Sequence, residues 1–485
     1  MFLGIDIGTS AVKAVLLGAD GQVVASAAAP LSVSRPTPGW SEQAPDDWWT
    51  ATNQAVLGLP AVERAATLAI GLSGQMHGAT VLDSRSKPLR PAILWNDGRS
   101  ALQCRELEAE EPEFLTHGAN RVMPGFTAPK LAWLRRHEAE VFNAIATVLL
   151  PKDYVRLKMT GELATDRSDA AGTLWMDVEK RRWHAPLLAA CGLTESQMPT
   201  LYDGPEITGN LIASVSGTWG MRSVPVVAGA GDNAAGAIGA GVTSDGETML
   251  SLGTSGVIFT ASDSFRSRPA AGVHAFCHAL PNRWHLMSVM LSAASCLEWA
   301  CKATNVSSVE TLVQLAEQAD RRNVPVFLPY LSGERTPHND PNAAGVLFGL
   351  THDSGPAEIA DAVLQGVAFG MADGFDALTE AGAHIDTLSV IGGGARSAYW
   401  GRMLAAAIGR PLCYRESATV GPALGAARLA ATAVADGNWF SPPSISATVT
   451  PERQYADALS VRRAASRNLY QMLKPAFEER SHAVR

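Results

Sequence analysis

The sequence predicts an α/β fold built from two related halves, and three observations carry that prediction. Short apolar runs of strand character alternate with helical segments along the 485 residues, the mixture that builds sheets flanked by helices. The opening stretch reads as a strand meander broken at Gly8-Thr9-Ser10. A second strand–turn–strand, with Gly253-Thr254-Ser255-Gly256 at its turn, starts about half a chain later. The likeness is slight as sequence, and its position at the start of each half gives it weight.

Taken in order, residues 2–7 form an apolar strand, 12–17 a second and 22–27 a third after the Asp20-Gly21 turn. Strands follow at 67–72 and 89–94, and a helix covers 129–136. Residues 224–228 read as a buried strand, Gly229-Ala230-Gly231-Asp232-Asn233 as a turn, and the small residues 234–241 as a tightly packed helix. The opening pattern then returns at 248–252 and 257–260. A strand at 387–391 leads through Gly392-Gly393-Gly394-Ala395-Arg396 into a helix from Ser397. A Gly/Ala-rich helix covers 422–431, and a terminal amphipathic helix at 464–473 is expected to stop before Pro475. So long a chain exceeds one ordinary core. The boundary falls between Gly239 and Gly246, giving domains 1–242 and 243–485.

Composition excludes several classes. A formal charge of −8 with 18% charged residues argues against nucleic-acid binding. No apolar run is long enough to span a bilayer, and the first residues lack the basic start of a signal peptide. Six cysteines are scattered without a Cys-x-x-Cys pair, which suggests neither zinc nor a redox dithiol. Unpaired thiols in a reducing cytoplasm are the expectation.

The candidate chemistry centres on phosphate. In each Gly-Thr-Ser turn glycine admits close backbone approach, successive N–H groups share one concavity, and hydroxyls add donors. Singly, such a turn reads more readily as a plain hairpin; two at matching places point to Gly8, Thr9, Ser10, Gly253, Thr254 and Ser255 as a nucleotide phosphate site. Asp6, ending the strand before the first turn, can reach a Mg²⁺ ion riding on the phosphates, directly or through water. Alternatively it satisfies its own turn. Asp232 follows a buried strand through a glycine turn and opens a helix, so it stands at a crevice lip as the candidate base for a hydroxyl nucleophile, or as a helix cap. An ordinary Asp pKa of about 3.9 leaves it ionised at neutral pH, so no large shift is required. Gly74-Gln75-Met76-His77-Gly78 offers donors and acceptors suited to a polyhydroxylated ligand, and Asn233 adds a polar contact. In Trp95-Asn96-Asp97-Gly98-Arg99, an Asp–Arg pair fixing the loop competes with a ligand role. Gly392–Gly394 opens a helix against which an anionic or flat ligand can lie. Tyr330–Pro337 reads as a rim loop whose Glu334–Arg335 pair is structural, with no catalytic role.

Six segments in order resemble the FGGY carbohydrate kinases: Gly4–Ser10, Gly125–Leu134, Gly229–Asn233, Ser251–Gly256, Gly345–Leu350 with Glu358–Gln365, and Gly392–Arg396. The resemblance covers the whole chain. It implies two actin-like domains, each with a ribonuclease-H-like core of mixed sheet flanked by helices, closing over a deep cleft. It also implies ATP as phosphoryl donor with Mg²⁺ at Asp6, and Asp232 as the base. Met76, His77, Asp232 and Asn233 would line the sugar site, and Gly393 and Gly394 would lie near the adenosine. The Gln75–Gly78 and Trp95–Arg99 loops are similar to those of family members that phosphorylate D-xylulose; ribulose, L-xylulose, arabinitol and a non-kinase actin- or chaperone-type ATPase are the alternatives. A cytoplasmic enzyme, with a homodimer considered, completes the expectation.

Overall fold

The computed structural model describes residues 1–391, 397–415 and 421–483. Apolar runs became strands where burial on both faces rewards them. β1 (Phe2–Ile7) is buried at every position, whereas β3 (Val23–Pro30) alternates partly buried and exposed residues, as a sheet edge does. With β2 (Ala11–Leu17), β4 (Ala69–Gly74), β5 (Ile207–Asn210), β6 (Pro225–Val227) and β7 (Ala230–Gly231), they form a mixed sheet ordered β5-β6-β4-β1-β2-β3, β7 pairing with β4. β1 runs antiparallel to β2 and parallel to β4, with Ile7 opposite Gly74.

The second sheet repeats this plan. β8 (Thr248–Leu252), β9 (Gly256–Ser262), β10 (His274–Cys277), β11 (Trp284–Met290), β12 (Leu388–Ile391), β13 (Leu412–Arg415) and β14 (Ile445–Val449) lie in the order β10-β11-β9-β8-β12-β13-β14. Again the opening strand is antiparallel to its successor and parallel to a later strand. The slight sequence repeat thus marks a repeated topology, and the α/β fold of two mixed sheets flanked by helices agrees with expectation.

The helices that position the site are α1 (Thr127–His137), α2 (Pro151–Thr160), α3 (Arg167–Ala171) and α4 (Asp232–Ala240) in the first half, with α5 (Pro356–Glu380), α6 (Ala398–Ile408), α7 (Pro422–Val434) and α8 (Arg453–Ala483) in the second. α7 crosses over to pack on α4, β1 and β4. The approach is backbone to backbone: a Cβ on Gly4 would lie 1.9 Å from Ala423 O, one on Gly71 1.9 Å from Ala426 O, and one on Gly425 1.8 Å from Ala235 O. Arg428 reaches across to Ile238 O and Gly239 O at 3.1 and 3.2 Å.

Two expectations need correction. Strand character at 89–94 shrinks to Ala92–Ile93, because Pro88 and Pro91 break the run. The terminal helix begins at Arg453 and continues through Pro475. Proline removes one helical hydrogen bond; here the next turn buries Phe477 against Tyr470, with ring centroids 6.3 Å apart, in an apolar cluster with Leu328 and Leu469.

Candidate active site

The halves enclose a cavity of about 270 Å³. The first half contributes Met76 and His77 from the loop after β4, and Asp232 and Asn233 from the start of α4. The second contributes Ser255 from its Gly-Thr-Ser turn. The four residues read from the sequence as a sugar site therefore share one space.

His77 sits at φ 70°, an uncommon conformation for a non-glycine residue. Its Nδ1 lies 2.7 Å from Gly172 O. A carbonyl only accepts, so Nδ1 carries the hydrogen and Nε2 is left as an acceptor. Burial first, then the charge of Lys130, lowers its pKa to about 3 and keeps the ring neutral. The ring stands edge-on to Phe126 at 4.9 Å. The loop backbone is fixed by buried Lys130, whose Nζ donates to His77 O at 2.8 Å and Gly125 O at 2.7 Å.

Asp232 holds Asn233 N at 2.7 Å and Asn233 Nδ2 at 2.9 Å, both on Oδ1. The second oxygen has no hydrogen bond among the described residues. Burial, and after it the charge of Asp6, raises the Asp232 pKa to about 7. The ordinary carboxylate value expected from sequence is thus corrected: burial disfavours the charged form of Asp232, and the nearby charge of Asp6 adds to that. Burial likewise lifts Asp6 to about 6, against a 3.1 Å hydrogen bond from Ser73 Oγ. Two hard oxygen donors, Asp232 lining the cavity and buried Asp6 close enough to act on its charge, suit a divalent cation of the Mg²⁺ type, whose charge would favour their ionised forms.

The two turns differ. Thr9 Oγ1 donates to Gln75 Oε1 at 2.9 Å and accepts from Trp95 Nε1 at 3.0 Å, so this hydroxyl braces the sugar-side loops. Gly8 N is used within its own turn, at 3.1 Å from Ala11 O, and Ser10 is exposed. Gly253, Thr254 and Ser255 are exposed, with Thr254 O pinned by Ala293 N at 2.9 Å. Gly393 and Gly394 lie outside the described residues. Ser397 caps α6, its hydroxyl accepting from Trp400 N at 3.1 Å.

Asp97 and Arg99 form the loop-fixing pair: Arg99 Nη2 is 2.7 Å from Asp97 Oδ2, with its guanidinium 3.6 Å from the Trp40 ring. Trp95 from the same loop lines the cavity. The rim loop is partly corrected. Glu334 turns into backbone, accepting from Leu291 N at 3.0 Å and Arg335 N at 2.7 Å, but Arg335 lines the cavity. Arg335 Nη1 lies 3.3 Å from His274 Nε2, while His274 Nδ1 lies 2.9 Å from Asn120 Oδ1. Sequence reasoning missed His274 and Phe276, which reach the site through the pairing of β10 with β11 and carry no local motif. It gave Arg335, whose rim loop is tied to β11 by Thr336 N on Val289 O at 3.1 Å, only a structural role.

Residues 1–239 match the N-terminal domain, and residues 248–434 the C-terminal domain, of the FGGY family of carbohydrate kinases. The chain belongs to the FGGY family of carbohydrate kinases. It is 55% identical over 481 residues to a xylulose kinase of Escherichia coli K12, covering 98% of this chain and 99% of that one. The fold matches solved FGGY-type kinases closely. A xylulose kinase from Brucella ovis superposes with a TM-score of 0.95 at 46% identity, and one from Rhodospirillum rubrum with 0.91 at 29%, each covering 98% of this chain and 99% of the other. Among the described residues no helix is long and apolar enough to cross a membrane.

Proposed function

We propose that this FGGY kinase transfers the γ-phosphoryl group of ATP to the terminal hydroxyl of D-xylulose, giving D-xylulose 5-phosphate and ADP. The observation that carries the reading is the free Asp232 oxygen, facing the same cavity as His77, Asn233 and the Ser255 turn. The full-length likeness to xylulose kinases supports the choice of sugar. Asp232 takes the hydroxyl proton as the sugar oxygen bonds to phosphorus and the bond to ADP breaks. A carboxylate with a pKa near 7 suits a base at neutral pH. His77 Nε2 accepts from a sugar hydroxyl, Asn233 offers its amide, and Met76, Trp95 and Phe126 cover the apolar C–H edge.

In this reading domain 1–242 carries the sugar and domain 243–485 most of the nucleotide. Gly8, Thr9, Ser10, Gly253, Thr254 and Ser255 attend the phosphates, and Gly393 and Gly394 the adenosine. Asp6 would hold Mg²⁺, directly or through water, and the ion would offset charge on the phosphate oxygens. Six unpaired cysteines, five of them buried, support a reducing, cytoplasmic setting. The homodimer considered above is checked by light scattering.

Asp232→Ala is expected to abolish sugar phosphorylation while ATP binding stays measurable; near-normal turnover would remove Asp232 as the base. Coupled ADP detection with D-xylulose, ribulose, L-xylulose and arabinitol tests the sugar, and a clear preference for ribulose would overturn D-xylulose. ATP hydrolysis without any phosphorylated sugar would favour a non-kinase ATPase.

A further inference from the structure

Behind the cavity, Asp232 and His77 hang from one buried assembly. Lys152 Nζ lies 2.7 Å from Asp153 Oδ1, 2.7 Å from Asp166 Oδ2 and 3.0 Å from Asp169 Oδ2, with all four side chains at 0% exposure. Asp166 and Asp169 grip α3. Asp166 Oδ1 caps the helix, accepting from Ser168 N at 2.8 Å and Asp169 N at 3.1 Å, and it also takes the Ser168 hydroxyl hydrogen. Ser168 Oγ, oriented by that bond, accepts from Gly231 N at 3.1 Å, one residue before Asp232. At the other end of α3, Gly172 O receives the Nδ1 hydrogen of His77 at 2.7 Å. From α2, Arg156 holds Val227 O at 2.7 Å and also Ala228 O, on the strand leading to Asp232.

The charges nearly balance. Burial pushes the Asp169 carboxyl well above the usual carboxylate range, while Lys152 retains its proton because the carboxylates outweigh the burial that would strip it. Ions buried this deeply stabilise a fold no better than apolar side chains of similar volume. What the cluster supplies is direction: one ammonium fixes Asp153, Asp166 and Asp169, and the last two hold the five residues of α3, whose two ends reach two sides of the cavity.

We propose that the Lys152–Asp166–Asp169 cluster is the mount of the catalytic apparatus, with Lys152 and Ser168 as positioning residues that set Asp232 through Gly231 and His77 through Gly172. It rests on Asp232 being the base. Loosening Ser168 should misplace Asp232 and spare the nucleotide, whose candidate contacts lie on other loops.

Ser168→Ala tests this, with thermal melting, steady-state kinetics and sugar binding by calorimetry, beside Asp232→Asn. The expected result is a folded enzyme with kcat lowered about tenfold, KM for ATP within twofold of the parent, and sugar affinity within threefold. A kcat within twofold of the parent overturns the mount. So does a loss of kcat matched by an equal loss of sugar affinity, which a merely structural residue would give. Should Ser168→Ala fail to fold, Ser168→Cys, of similar volume, is read by the same criteria. An active Asp232→Asn would remove the base reading itself, whereas an inactive Asp232→Asn beside an unimpaired Ser168→Ala removes only the mount.

Discussion

Replacing Asp232 with asparagine keeps an acceptor for the Asn233 N–H groups while removing the charge. Burial and the neighbouring Asp6 raise the Asp232 pKa from an ordinary 3.8 to about 7. A folded-state value above the unfolded one means the folded chain holds the proton more tightly. Stability is therefore greatest at low pH and falls as pH rises from about 4 through about 7. At about 1.4 kcal/mol per unit, a rise of three units sets a ceiling of about 4 kcal/mol on the cost of the charge at pH 8. Asp232 faces solvent in the cavity and titrates together with Asp6, so about 1–2 kcal/mol is the expected share. Asp232→Asn should thus melt roughly 2–4 °C above the parent at pH 8, with the gap narrowing below pH 7 and closing near pH 4. Scanning fluorimetry across that range reads it directly, and the same variant should show no phosphoryl transfer. A melting difference that ignores pH, or none at any pH, would refute the argument that the charge is held at a cost.

Gly425→Ala drives a Cβ to 1.8 Å from Ala235 O and should cost about 3 kcal/mol by denaturant unfolding; Gly217→Ala, exposed with nothing within 4 Å of its Cβ, should be neutral or slightly stabilising. Trp95→Ala should raise the sugar KM about tenfold through roughly 1.4 kcal/mol of lost contact, with KM for ATP changed less than twofold in coupled assays. Phe477→Ala should destabilise by about 3 kcal/mol and lower helicity by circular dichroism, since that side chain holds the turn after Pro475.

Much of this was legible because it is written locally. An apolar run ending in Gly-Thr-Ser announces a strand and a turn, and Met76, His77, Asp232 and Asn233 stood out as polar or unusual residues at strand ends. Other features exist only in three dimensions. The shift of Asp232 arises from burial in the folded cleft and, after it, from Asp6, over two hundred positions away. Arg335 looked like half of an ion pair until the fold turned Glu334 into backbone and brought His274 beside the guanidinium. Lys152, Asp166 and Asp169 gave no signal, because their chemistry is mutual burial rather than motif. Thr9 was read for its neighbours in sequence, whereas its hydroxyl is engaged by Gln75 and Trp95.

The helix Pro422–Val434 bears on how this protein can be taken apart. It is made late in the chain, yet it lies on strands made first, and the glycines at 4 and 71 leave hollows that fit its backbone. The linear order and the packing order therefore disagree. A fragment ending near residue 242 would cut through the apolar cluster in which Phe2, Ala69 and Val227 are buried together with Leu424 and Leu429. Such a fragment should be poorly soluble on its own. A chimera that exchanges nucleotide-side halves between relatives must keep this one helix matched to the sheet it leaves behind.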